Sequence, residues 1–150
     1  EVRWDVIESP GHCPGQICLV SDAGVVSGDN CSTVGTILVP SDEGDMGAYI
    51  SGLERLRALK PKVLFPGHGP LVANPERLLT HYIEHRKARH QKVLEAVRAG
   101  NSDIPSIASA AYSDSPGAHP LLAQDQALSH LKDLQSTGDV IHDGSGYTAV

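Results

Sequence analysis

His12, Asp29 and His68 are the side chains in this sequence best suited to chemistry. Neutral imidazole nitrogen and carboxylate oxygen are donors that zinc and similar divalent ions accept. Each stands beside glycine, in Gly11-His12, Gly28-Asp29 and Gly67-His68-Gly69, and glycine allows the backbone angles that aim a neighbouring side chain inward. Residue type and spacing leave two readings open: metal ligands converging on one edge of a sheet, or three ordinary turn residues.

The elements that must position them follow from periodicity. Val2, Trp4 and Val6 alternate with Arg3 and Asp5, the period of a half-buried strand, which ends at Ser9-Pro10-Gly11 and delivers the His12 loop. Ile17 to Val20 and Val25-Val26 read as two strands joined by the tight turn Ser21-Asp22-Ala23-Gly24, with Ser27-Gly28-Asp29-Asn30 as the next strand-end loop. Ile37 to Val39 is expected to be a fourth strand, stopped by Pro40. Met46, Tyr49, Ile50, Leu53, Leu56 and Leu59 share a helical face, with Gly44-Asp45 and Lys60-Pro61 as start and stop signals. Val63 to Phe65 is a short strand broken by the His68 turn, and a helix opens at Asn74-Pro75 and runs to about Gly100. The tail reads as helix, helix, hairpin: Asp103 to about Tyr112, Leu121 to Thr137, then Val140-Ile141 turning through Asp143-Gly144-Ser145-Gly146 to Val150.

Three segments, Ser9-Pro10-Gly11-His12-Cys13-Pro14-Gly15, Ser27-Gly28-Asp29 and Phe65-Pro66-Gly67-His68-Gly69-Pro70, resemble the last three metal-ligand motifs of the metallo-β-lactamase superfamily in order and separation. The likeness continues through Tyr82-Ile83-Glu84-His85-Arg86 and the winged-helix-like tail to the beta-lactamase-like protein 2 subgroup. It implies an α/β fold: the second half of an αββα sandwich in residues 1–72, then a linker helix and a small winged-helix-like domain in 73–150. It also implies a two-zinc site in which His12 binds one ion, Asp29 bridges both and shares in catalysis, and His68 binds the other. The implied reaction is hydrolysis by a metal-activated water, on a small-molecule ester or thioester or an RNA or DNA phosphodiester. His85 and Arg86 would approach the substrate.

The superfamily's first ligand motif, H-x-H-x-D-H, is nowhere in the chain, and Gln16 and Asn30 stand where the subgroup often has histidine, or histidine or cysteine. With Met46 as the one methionine and a strand beginning close to Glu1, the chain is expected to be the C-terminal part of a longer hydrolase. Alone it should hold zinc weakly or not at all and be close to inactive. A half-sandwich should also leave apolar surface on residues 1–65, to be met by the N-terminal half or by a second copy in a homodimer.

Two rival readings compete. His81-Tyr82-Ile83-Glu84-His85 matches the H-x-x-E-H pattern of a zinc peptidase, with histidines one helical turn apart. A winged-helix tail opens a nucleic-acid-binding alternative, but its would-be recognition helix sets Asp125 and Asp133 against Lys132. Arg86, Lys87, Arg89 and Lys92 form a basic cluster that reads as a phosphate contact or a solvated face. His119, His130 and His142 read as surface or capping residues, Cys13 as a bystander beside a ligand, and Cys18 as an inert core thiol.

Composition bounds all of this. The 150 residues are 40% hydrophobic and 20% charged, enough apolar material for a core, so a mainly disordered chain is excluded. No apolar run approaches the ~18 residues of a membrane span. A net charge of -6 argues against a dedicated nucleic-acid binder. Three cysteines without paired spacing fit a reducing, cytoplasmic setting.

Overall fold

The hydrophobic pattern closes into two cores. The computed structural model describes residues 1–150, which divide into two compact units: Glu1–Val39 with Glu43–His85, and Pro40–Asp42 with Arg86–Val150. The first unit holds β1 (Asp5–Glu8), β2 (Ile17–Ser21), β3 (Gly24–Ser32), α1 (Met46–Ala58), β4 (Leu64–His68) and the start of α2 (Pro75–Arg98). The second holds the rest of α2, then α3 (Ile104–Ala111), α4 (Pro120–Thr137), β5 (Val140–His142) and β6 (Tyr147–Ala149). The division falls inside α2 because Leu79, Tyr82 and Ile83 pack in the first core, and Val93, Leu94 and Val97 in the second.

In the first unit the strands lie in the order β1-β2-β3-β4, antiparallel except for the parallel pair β3–β4. The parallel pair requires a crossover, which α1 supplies. That helix starts where the Asp45 carboxylate accepts the Ala48 N–H at 2.7 Å. Its Met46, Tyr49, Leu53 and Leu56 are fully buried in one cluster with Cys18, Val25 and Leu64 of the sheet. Each such side chain contributes about 1.5–3 kcal/mol by leaving water.

Three expectations are corrected here. Ile37 to Val39 forms no strand: Ile37 and Val39 are buried, but the segment joins no ladder. Asp29 lies within β3, not past it, because β4 pairs alongside and carries the strand on to Ser32. In β1 it is Ile7, opposite buried Cys18, that packs against the core, while Val2 and Val6 are exposed. The register therefore sets Val6, Leu19, Val26 and Phe65 side by side across all four strands, on the face opposite Cys18 and Leu64. Val6 is 63% and Phe65 36% exposed.

In the second unit α3, α4 and the antiparallel β5–β6 hairpin enclose Ile107, Ala127, Leu131, Leu134, Val140 and Tyr147. Gly138, left-handed at φ 84°, ends α4. The basic cluster read from the sequence is largely consumed by structure. Arg86 is buried and donates to Gln126 at 3.2 Å. Arg89, also buried, donates to the Ala111 carbonyl, to Asp114 at 2.8 Å and to Ser115 at 3.1 Å, and lies over the Tyr112 ring. Lys92 pairs with the other Asp114 oxygen at 2.6 Å, and the two cations hold that carboxyl well below the usual range. On α4, Asp125 accepts from the Ser41 hydroxyl at 2.6 Å and Lys132 donates to the Ser41 carbonyl.

His130 is wholly buried, contrary to its reading as a surface residue, because it faces His90 within the unit, Nδ1 to Nδ1 at 3.2 Å. Burial pushes the His90 pKa below its ordinary 6.5, against the opposing pull of Asp133 and Asp139. The unfolded chain then binds more protons than the folded one as the pH drops below that value. This contribution to stability is full above about pH 6.5 and lost as the pH falls through the lower folded value. Thermal melts from pH 7.5 to 5 should show the second unit losing stability on acidification, and His90→Gln should flatten the loss. An unchanged slope in that variant would assign the acid sensitivity elsewhere.

Candidate metal centre

His12 reaches the site from the loop after β1. Gly11, at φ 143°, gives its carbonyl to the Asp45 N–H at 2.8 Å and so lies against the start of α1. The His12 Nδ1 is 2.7 Å from the Leu38 carbonyl. A carbonyl only accepts, so Nδ1 carries a proton, and in the neutral ring Nε2 is the nitrogen with the lone pair. That Nε2 lies 3.8 Å from Asp29 Oδ2. His68, the last residue of β4, sets its Nε2 3.4 Å from Asp29 Oδ1. Its carbonyl is held by the Thr33 N–H and the Ser32 hydroxyl, both at 3.3 Å.

The carboxylate fits between the histidines because residue 67 is glycine: a Cβ there would come within 2.5 Å of Asp29 Oδ1. Beneath it Asn30 is a buried hub. It accepts from the Ser9 hydroxyl at 2.8 Å, donates to the Ser27 carbonyl at 2.8 Å, and its carbonyl takes the Tyr49 hydroxyl at 2.7 Å. Burial pushes the Cys18 thiol up to about 11, which keeps it protonated and inert at neutral pH.

The structure thus brings His12, Asp29 and His68 together. No trio of His, Cys, Asp or Glu closes into a finished metal cage anywhere in the chain. The three residues suit a cation in kind, imidazole nitrogen and carboxylate oxygen being donors that zinc accepts. His85 lines a different feature, a cavity of about 460 Å³ bounded also by Ser32, Thr33, Thr36, His81 and Tyr82. There the His81 and His85 rings stack, with centroids 6.3 Å apart. Arg86 belongs to the second unit, where it is buried. The Leu38 carbonyl, being backbone, escapes a reading by side-chain chemistry, and Gly67, read from the sequence for its backbone freedom, serves by the space it leaves for Asp29.

No family model matches the chain. A metallo-beta-lactamase family protein of Thermus thermophilus superposes on 99% of it with a TM-score of 0.79 and 19% identity, over 50% of its own length. The chain has the fold of one half of a metallo-β-lactamase family protein. Two curated relatives share sequence with this metallo-β-lactamase half. The beta-lactamase-like protein 2 homolog of Drosophila melanogaster is 28% identical over 137 residues, 89% of this chain and 46% of its own. The atrochrysone carboxyl ACP thioesterase AgnL7 of Paecilomyces divaricatus is 27% identical over 110 residues, 72% of this chain and 34% of its own. The chain spans about half the length, or less, of these curated relatives. No helix is long and apolar enough to cross a membrane.

Proposed function

We propose that the chain carries part of the active centre of a metallo-β-lactamase-like hydrolase, with His12, Asp29 and His68 as ligands of a divalent cation, zinc by donor type. The observation that carries this reading is the single Asp29 carboxylate with a histidine Nε2 toward each of its oxygens. Leu38 adds the partner on the far ring nitrogen that orients a ligating histidine. When bound, such a cation supplies Lewis acidity and an activated water for hydrolysis of an ester, thioester or phosphodiester. The kinship with a thioesterase favours the thioester among these. The chain's own part is to present two lone pairs and one shared carboxylate at a sheet edge.

In the superfamily pattern further ligands come from H-x-H-x-D-H, which this chain lacks. We therefore expect the chain to take up at most one Zn2+, weakly, and to hydrolyse model thioesters and phosphodiesters no faster than Zn2+ alone. Calorimetric titration with Zn2+, repeated on His12→Ala and His68→Ala, tests the site: one equivalent lost in both variants supports it, and equal uptake in wild type and variants removes it.

The helix-helix-hairpin order of the second unit supports reading it as winged-helix-like, with its Asp125 and Lys132 already engaged. In the longer relatives, or in a homodimer, the Val6-Leu19-Val26-Phe65 face would be the surface that a further segment or a second copy covers.

A further inference from the structure

Gln16 immediately precedes β2, and the antiparallel ladder between β2 and β3 reaches only to the pair Leu19–Val26. Continued, that register would set Gln16 opposite Asp29. The β3–β4 pairing slips on both sides of Gly28, whose φ is 51°. The strand therefore bulges where Asp29 leaves the β2 ladder, and the ladder no longer takes the N–H groups of Asp29 and Asn30.

The side chain of Gln16 replaces it. With its amide oxygen turned inward, Oε1 accepts from Asn30 Nδ2 at 2.7 Å, from the Asn30 N–H at 2.9 Å and from the Asp29 N–H at 3.3 Å. The reverse orientation leaves Oε1 4.0 Å from the Cys13 thiol and Nε2 3.4 Å from the Ser27 carbonyl, much the poorer set. The Gln16 backbone is committed as well. Its carbonyl accepts the Ser9 N–H at 2.9 Å, and its N–H reaches the Cys13 carbonyl at 3.4 Å, closing the turn that follows His12.

We infer that Gln16 is a positioning residue that ties the His12 turn to the Asp29 bulge and so sets where the Asp29 carboxylate stands relative to the histidine. The inference rests on the metal reading above. It differs from the contacts of an ordinary core residue because one side chain holds the backbone of one candidate ligand while its own backbone closes the turn carrying another.

The full chain with two substitutions tests it. Gln16→Met keeps the length of the side chain but removes the strong acceptor, and Gln16→Glu keeps an acceptor. Amide hydrogen exchange without metal reads the hold on Asp29 and Asn30 directly, and visible absorption during Co2+ titration reads the ligand geometry. In Gln16→Met, exchange at these two amides should quicken while that of Leu53 stays unchanged, Co2+ affinity should fall about 10–100-fold as for a lost supporting contact to a ligand, and the cobalt spectrum should shift. Gln16→Glu should restore all three. Wild-type exchange at Asp29 and Asn30, or wild-type Co2+ affinity and spectrum in Gln16→Met, overturns the assignment. A wild-type chain that takes up no Co2+ overturns the metal reading instead, and the exchange rates alone then decide whether Gln16 holds the bulge.

Discussion

Asp29→Ala should lower the affinity of the chain for Zn2+ or Co2+ by at least about 100-fold, a larger loss than removal of a supporting contact brings. Two neutral imidazoles and one carboxylate make up the donor set, and only the carboxylate brings charge to a dication. It is also the one group within reach of both histidines, so its loss leaves two separated nitrogen donors that share no third ligand. Asp29→Asn separates charge from shape. The amide occupies the space that Gly67 leaves open but has no negative charge, and most of the loss should remain. Neither change should alter folding much, because the carboxylate is one-third exposed and stands 3.8 and 3.4 Å from the two neutral imidazoles. His85→Ala, in the neighbouring cavity, should leave metal affinity unchanged. Calorimetric titration of the four proteins checks the order, and retention of affinity in Asp29→Ala would remove Asp29 from the site.

How much of this was readable from the chain depends on the kind of interaction. The helix α1 was plain because its apolar residues recur at helical spacing and Asp45 stands at the cap, both local features. The trio His12, Asp29 and His68 was readable because each carries a reactive side chain beside glycine. What could not be read is what non-local pairing decides. Val2, Trp4 and Val6 alternate as a core face would, yet Ile7 faces the core because the β1–β2 register places it on Cys18. Two faces with apolar residues leave the parity of an edge strand open until its neighbour is known. Val25-Val26 looked like a short strand ending in a loop, since Gly28 and Asp29 are poor strand formers. The parallel partner β4, more than thirty residues on, carries the strand past them. Ile37 and Val39 have strand composition and a buried place, but no strand is there to pair with them. The basic run on α2 likewise showed four cations, while the Asp114 carboxylate and the Gln126 amide that engage three of them lie 22 to 40 residues away.

Gly11→Ala should be the most destabilising single methyl in the chain's first unit, on the order of 3 kcal/mol or more. Two independent costs coincide there. At φ 143° an L side chain is strained whatever the space around it, and a Cβ would drive into the backbone of Tyr49 at the first turn of α1. Neither neighbour can yield cheaply, because the Gly11 carbonyl is bound to the Asp45 N–H and Tyr49 is fully buried with its hydroxyl on Asn30. Relief of the clash would lift the His12 loop away from α1, so metal affinity should fall together with stability even though no ligand has changed. Gly15→Ala is the matched control: it lies in the same loop, three residues past His12, with nothing within 4 Å of the added carbon, and should shift stability by no more than about 0.5 kcal/mol. Urea titration of the two variants beside wild type reads the stabilities, and Co2+ titration of the folded fraction reads the site. Equal midpoints for the two variants would mean that the His12 loop is free to move off the helix, and with it the rigidity on which the placement of His12 depends.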